Sequence, residues 1–504
     1  MIDSENLRVL LTTFDLGTST AEKDPLLETA KINTQQFIDL YEHDSIDIVK
    51  GIKGSGKTAL YRALYFLSDY SKDNNLHCIF GIEATGDPVF RQFLNDFDGY
   101  SEVQFENFWY IYFVTLIFNH INKDPSISSA LEPDDKKDLA AIVKDIGITI
   151  TGDKFDLRNI ISAILSSFRS IATRSVNSIQ AGIKTEIPNN NSEPISIMPC
   201  IKFDFDKTKK IEKDPIYITP FKNKLSAILN KYNLRIWLML DRLDEVFPHR
   251  SIKERYGLKG ILKAAYNFSD PNIRIKTFIR EDIISFLAMD GFTAMTHVMD
   301  RCSATMTWSK DDIMYLIVKR ICANPLFQKH YNIDRNKIDE DKRYREEIFY
   351  RIFPSKIGRT STLTWIYMHC QDGNKVVTPR DIIDYFRFAK DLQINKYNID
   401  PKPQEYLFTE DIIKKSIDVL SKHKTTTYLM AEFPHLKKSF LAFEGNKSTY
   451  NDNSLKELLG AEWHKIYDEL AAIGFIARVP KQTSFSIPII WRKGLNLRKG
   501  TYFK

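Results

Sequence analysis

Apolar positions along this chain follow two alternating spacings. Runs of strand length rich in apolar residues occur at residues 46–49, 77–82, 234–240 and 273–279. The run at 234–240 is apolar except for Arg235, as a strand buried in a parallel sheet is, and the run at 273–279, which also carries Arg274 and Lys276, reads as another buried strand. Between the runs, apolar residues recur every three to four positions, the helical period. Residues 59–67 follow it directly after the first strand. Val103, Phe105, Phe108, Trp109, Tyr112, Phe113, Leu116, Ile117 and His120 follow it over a wide face, which predicts a buried helix. That aromatic crowd reads as helical core rather than as a platform for stacking bases. Further helices are predicted over 25–30 and 34–41, leading into the first strand, and over 156–173.

From Trp308 onward the period is helical. Ile313, Leu316, Ile317 and Ile321 share one side of a helix over 310–322. Thr378 suits the N-cap and Pro379 the first helical position of the next helix. Residues 398–403 read as a linker, 410–420 and 454–473 as helices. Two short extended runs, 474–479 and 485–489, then flank a polar turn. Helices followed by a two-stranded hairpin predict a winged helix, and Arg478, Lys481, Arg492, Lys493, Arg498, Lys499 and Lys504 make this end basic. Winged helices bind DNA or proteins, so the fold leaves the partner open.

Composition narrows the class. The 504 residues suffice for about three or four domains. With 43% hydrophobic and 27% charged residues the chain has ordinary globular chemistry. A net charge of +6 is too small, over this length, to imply nucleic acid. Residues 188–194 read as a turn or loop. The cluster Lys207-Thr208-Lys209-Lys210 lacks interleaved aromatics and reads as a solvated face. Cys78, Cys200, Cys302, Cys322 and Cys370 are scattered without C-x-x-C spacing, as free thiols in a reducing compartment would be. The ten histidines are scattered too and read as structural; neither a His/Cys/Asp metal cluster nor a Ser-His-Asp order is visible. The amino terminus lacks the basic segment of a signal peptide. The most apolar run, 108–118, is shorter than the roughly 20 residues a membrane span needs. A cytoplasmic protein without membrane contact is expected.

The strongest chemical signal is Gly51-Ile52-Lys53-Gly54-Ser55-Gly56-Lys57-Thr58, the G-x-x-x-x-G-K-T pattern between a strand and a helix that begins near Ala59. Gly51, Gly54 and Gly56 are expected to take positive φ and to let the backbone approach an anion. Backbone amides at a helix N-terminus then face phosphate oxygens. Lys57 adds a positive charge there, and the Thr58 hydroxyl reaches Mg²⁺. A second signal is the buried run ending Asp241-Arg242-Leu243-Asp244-Glu245. Ligands of α/β folds gather at such carboxyl ends. Asp241 is suited to orient Mg²⁺ and Glu245 to take a proton from water, with Asp244 a second carboxylate on the rim. The run at 273–279 ends on Arg280, placed either to sense a γ-phosphate or to pair with neighbouring Glu281 or Asp282. Arg380, in the first turn of its helix where the dipole disfavours a cation, invites either an anionic ligand or a packing partner.

Taken together, these motifs resemble the STAND class of signal-transduction ATPases, relatives of AAA+ and origin-recognition ATPases. The resemblance covers 45–67, 234–300 and, more loosely, 305–500. The P-loop form, the Thr378-Pro379-Arg380-Asp381 helix start and the expected C-terminal winged helix look like a bacterial group of P-loop ATPases often found in anti-phage defence operons. Arg242 departs from the small residue the class carries there. The resemblance implies an α/β P-loop core with a parallel sheet between helices, split into 1–95 and 226–300. It also implies a mainly helical insertion over 96–225, a helical lid over 301–400 and a winged helix over 401–504. It implies ATP and Mg²⁺ as cofactors, held by Gly51 to Ala59, Asp241 and Arg380. The expected activity is ATP hydrolysis by Lys57, Glu245 and Arg280 in a homo-oligomeric switch that acts on an effector protein. Two other readings stay open: a DNA-binding ATPase acting through the basic C-terminus, and an interaction protein that holds nucleotide without hydrolysing it.

Overall fold

The computed structural model describes residues 1–30, 32, 34–71, 75–82, 95, 97–145, 219–247, 251–289, 291–292 and 295–502. The predicted helix at 156–173, the loop at 188–194, the basic cluster at 207–210, Cys200 and the side chain of Asp244 lie outside the described residues, as does much of 96–225. The chain divides into two compact units. One comprises Met1–Ile38, Gly51–Ala63 and Thr305–Lys504; the other comprises Asp39–Lys50 and Leu64–Ala304.

The second unit is built on a parallel four-stranded sheet with the order β1-β4-β3-β2. Its strands are β1 (Ile48–Gly51), β2 (Leu76–Ile82), β3 (Arg235–Leu240) and β4 (Ile273–Arg280). Leu238 lies opposite Ile275 on one side and Ile79 on the other. Helices Glu102–Lys123 and Ile252–Phe268 pack together, and the predicted aromatic face is core: Phe105, Phe108, Trp109, Tyr112 and Phe113 are fully buried. Val103 is the exception and is exposed. The Trp109 indole N–H donates to the Gly257 carbonyl at 3.0 Å. A methyl group on Gly260 would stand 2.8 Å from Phe105 Cβ, so glycine is what allows the two helices to come this close.

Two charged side chains, Arg274 and Lys276, stand inside β4. Lys276 is fully buried, donates to the Asp47 carboxylate at 2.8 Å and to the Ile46 carbonyl at 2.7 Å, and lies 4.5 Å from the Trp237 ring centre. Asp47 also accepts from Arg301 Nε at 2.6 Å. The amino end of β1 is thus tied to β4 by a paired, hydrogen-bonded knot, the condition under which buried charge is tolerated.

In the first unit, helices Ser4–Thr13, Lys310–Ile321, Pro379–Ile399 and Glu410–Lys424 enclose an aromatic cluster. Phe14 meets Phe327, Phe386 and Phe408, and Phe353 stacks on Phe408. Helix Ser4–Thr13, capped by Asp3 through the Asn6 amide and burying Leu7, Leu10 and Leu11, adds to the predicted elements, and the predicted helix over 25–30 is instead a turn. The Asp24 carboxylate accepts the amides of Thr18 and Leu26, a local alternative to helical hydrogen bonding. A two-strand ribbon, β5 (Lys356–Ile357) with β6 (Thr360–Ser361), precedes the C-terminal sheet. That sheet has the order β10-β7-β9-β8, with β7 (Lys447–Tyr450), β8 (Ala477–Arg478), β9 (Phe485–Ser486) and β10 (Arg498–Thr501). The helix expected over 454–473 is two, Asp452–Leu459 and Trp463–Ala472, because Gly460 adopts φ +89° and ends the first.

Cys322 and Cys370 are buried free thiols, while Cys78 and Cys302 are half-buried. No helix among the described residues is long and apolar enough to cross a membrane.

Candidate functional site

The G-x-x-x-x-G-K-T segment forms a tight loop. β1 ends at Gly51 and helix Lys57–Ser71 begins at Lys57. Gly54 has φ +85° and Gly56 φ +101°, conformations that glycine adopts readily. Gly51 is not left-handed, contrary to expectation. It is required for space: a methyl group there would lie 2.5 Å from Ser55 Oγ and 3.0 Å from Met306 Cβ. Ser55 N–H donates to the Ile52 carbonyl at 3.2 Å, closing the turn. Lys57 Nζ curls back to donate to the carbonyls of Gly51 at 2.9 Å and Ile52 at 3.0 Å. Thr58 and Ala59, in the first helical turn, are half-buried.

Ser55 is 1% exposed, and its hydroxyl has no hydrogen-bond partner among the described residues. An unsatisfied buried hydroxyl costs about 1–3 kcal/mol. A phosphate oxygen over the loop would relieve that cost, so these residues fit an anionic ligand. The loop is held from outside by Trp308, whose indole N–H donates to the Ser55 carbonyl at 2.7 Å. No sequence signal marks Trp308 for this role, since it stands 253 residues away.

Arg380 lies on the same loop. Its Cβ would be 3.1 Å from a methyl group on Gly54, and its Nε donates to the Ser19 carbonyl at 3.3 Å. Thr378 caps helix Pro379–Ile399 through the Asp381 amide, as its sequence predicts. The Thr378 hydroxyl and Lys424 Nζ both donate to Asp381 Oδ2, at 2.7 and 2.6 Å. Lys53, an interior residue of the loop, forms an ion pair with Glu432. Ser19, Lys53, Arg380, Lys424 and Trp491 line a cavity of about 230 Å³ beside the loop. Burial pushes the Asp372 carboxyl in its wall up to about 6, and burial also raises Asp384.

The remaining predicted residues belong to the second unit. Asp241 directly follows β3 and is 2% exposed. Arg242 takes φ +58°, a left-handed conformation that costs a non-glycine residue about 1–2 kcal/mol. That backbone would favour glycine at this place, since every residue with a Cβ pays the same cost. Glu245 lies in the short helix Leu243–Val246, with its carboxylate 3.6 Å from Arg242 Nη1. Arg280 is the last residue of β4, and its guanidinium grips Asp282 through two hydrogen bonds of 3.0 and 2.9 Å. Of the two readings open for Arg280, local pairing is the one observed in this state.

No family model and no curated protein matches the chain. Among solved structures, the Walker-type ATPase PabY2304 of Pyrococcus abyssi aligns at 12% identity and TM-score 0.36, covering 97% of this chain and 100% of that one. The ORC2 protein of Aeropyrum pernix, solved in ADPNP–ADP complexes, aligns at 10% identity and TM-score 0.34, over 92% of this chain and 91% of that one. Cdc6p of Pyrobaculum aerophilum aligns at 12% identity and TM-score 0.29, over 93% and 94%.

Proposed function

We propose that the protein is an ATP-binding and ATP-hydrolysing molecular switch of the STAND/AAA+ kind. The observation that carries this reading is the Gly51–Thr58 loop: two left-handed glycines, a buried unsatisfied Ser55 hydroxyl and Lys57 at a helix N-terminus. Such a loop offers amides and a lysine to the phosphates of a nucleotide. Mg²⁺, when bound, would neutralise phosphate charge, and Thr58 and Asp241 are the residues suited to hold it. Lys57 would exchange its two loop carbonyls for phosphate oxygens. Glu245 would accept the proton of the attacking water, giving ADP and phosphate. The roles of Asp241 and Glu245 rest on their motif and on their place after β3.

The readout is proposed to run through Arg380 and Lys53, which join the loop to helix Pro379–Ile399 and to Glu432. The order helix, strand, two helices, hairpin over Lys437–Ser486 supports a winged helix as the responding part. A homo-oligomer or an effector protein would read it, and the defence role follows only from the bacterial group the motifs resemble. A second reading, DNA-dependent action, is favoured by one observation: Arg478, Lys481, Arg498 and Lys499 are all exposed at the C-terminal sheet.

The test is steady-state phosphate release from ATP by the wild type and Glu245→Gln, with and without duplex DNA. Turnover lost in the variant while ATP binding survives supports hydrolysis with Glu245 as base. Stimulation by DNA, reversed by salt, favours the second reading. ATP binding without turnover in either protein would sink the hydrolytic reading.

A further inference from the structure

Among the described residues, the fold assembles one constellation of metal-binding side chains from separate elements. His77 stands near the amino end of β2, His120 in the last turn of helix Glu102–Lys123, and Asp124 caps the next helix, Pro125–Ala130. One ligand atom from each lies within 4.8 Å of those of the other two. His77 Nδ1 is 3.8 Å from Asp124 Oδ2, and the two imidazole rings meet edge to face with centres 5.5 Å apart. His77 is buried and the other two are half-buried.

The carboxylate is oriented from behind. Asp124 Oδ1 accepts the Ser126 amide at 2.9 Å and the Ser126 hydroxyl, while Oδ2 faces His77. The Asp124 amide donates to the His120 carbonyl at 2.9 Å, which fixes these two ligands on one turn. Hydrogen bonds that orient ligands in this way are the usual outer shell of a metal site.

We propose that His77, His120 and Asp124 form a site for a divalent transition metal, with Zn²⁺ the reference ion. Two imidazoles and one carboxylate suit zinc and its neighbours, whereas Mg²⁺ and Ca²⁺ demand an all-oxygen set. Zinc bonds of roughly 2.0–2.2 Å place tetrahedral ligand atoms about 3.3–3.6 Å apart. Closing the cluster therefore takes side-chain adjustments of about an ångström. Three protein ligands leave a fourth position for water. The site stands at the amino end of β2, whereas Asp241 follows the carboxyl end of its parallel neighbour β3, so the ion is not the one proposed for nucleotide. Metal would pin the edge strand of the sheet to the turn between two helices.

The test uses full-length protein stripped with chelator and free of nucleotide, titrated with ZnCl₂ and, separately, with CoCl₂. The wild type is expected to bind one equivalent of zinc and to give the visible absorption of cobalt held by nitrogen ligands. His120→Ala should weaken zinc at least about tenfold. Asp124→Asn, which can keep the cap on Ser126, should weaken it too. Circular dichroism checks that both variants are folded, and Lys57→Ala should keep full zinc affinity. Folded wild type that binds no zinc overturns the proposal. So does zinc bound equally by the wild type and both folded variants, because the ion would then sit elsewhere.

Discussion

Trp308 donates its indole N–H to the carbonyl oxygen of Ser55 at 2.7 Å, and Trp308 is itself anchored where the Tyr367 hydroxyl donates to its carbonyl at 2.9 Å. The conformation of the Gly51–Thr58 loop is therefore held by a residue far downstream. Trp308→Phe keeps an aromatic ring and removes the donor. A buried carbonyl left unpaired costs about 1–3 kcal/mol. Thermal unfolding should fall accordingly, and ATP affinity by about tenfold, since 1.4 kcal/mol is a factor of ten. Equal affinity and stability in calorimetry would show that this hydrogen bond does not organise the loop.

In the proposed function, Lys57 is the charge that the loop would offer to phosphate. Lys57→Ala should abolish tight ATP binding while leaving the circular dichroism spectrum native. An ATP titration with unchanged affinity would remove the phosphate-binding assignment.

Lys53 now spends its charge on Glu432. If Lys53 turns to nucleotide on binding, Glu432 competes with phosphate. Glu432→Gln should then tighten ATP by a few-fold, in keeping with a half-buried pair worth about 1 kcal/mol or less. The gain should vanish in the Lys53→Ala background. A gain that persists there would mean Glu432 acts through another group.

Asp372 makes stability depend on pH. Its folded pKa, pushed by burial up to about 6, lies above the unfolded value of about 3.9. The folded state therefore binds the proton more tightly. Its contribution is complete below about pH 4 and is lost as pH rises through about 6. Asp372→Asn should unfold at a higher temperature than the wild type at pH 7, by the equivalent of about 1–2 kcal/mol, with the difference closing at pH 4. The amide oxygen can still accept from Asn374 and Val376, which the carboxylate now does. A difference that is the same at both pH values would refute the titration.

Asp24 and Arg320 form an ion pair whose side chains are 2% and 6% exposed. Arg320 also donates to the Leu16 carbonyl, so the pair holds the segment that carries Ser19 to Arg380. Removing one partner leaves a buried charge, and Asp24→Asn should cost about 3–5 kcal/mol in urea unfolding. A loss under 1 kcal/mol would mean the guanidinium finds water or another acceptor.

What could be read ahead of the structure was local. The phosphate-loop pattern, the runs that became β3 and β4, the Thr378 cap and the aromatic face of helix Glu102–Lys123 all follow from neighbours within a few positions. Errors came where a distant or competing contact outweighed the local pattern. The turn after Asp24 replaces a helix, and Gly460 splits another. Gly51 proved to matter through Ser55 and Met306 rather than through its own torsion.

By itself, the sequence determined the strands β1 to β4, several helices and the Thr378 cap, and it marked one loop for the phosphate-binding role proposed here. Periodicity, capping and turn preference act over a few residues, so one stretch suffices to read them. Tertiary structure alone decided that Trp308 meets Ser55, that Lys53 meets Glu432, and that His77 joins His120 and Asp124. Those meetings are set by how whole helices pack and how strands order themselves in a sheet, and no local pattern encodes which distant side chains such packing brings within bonding distance.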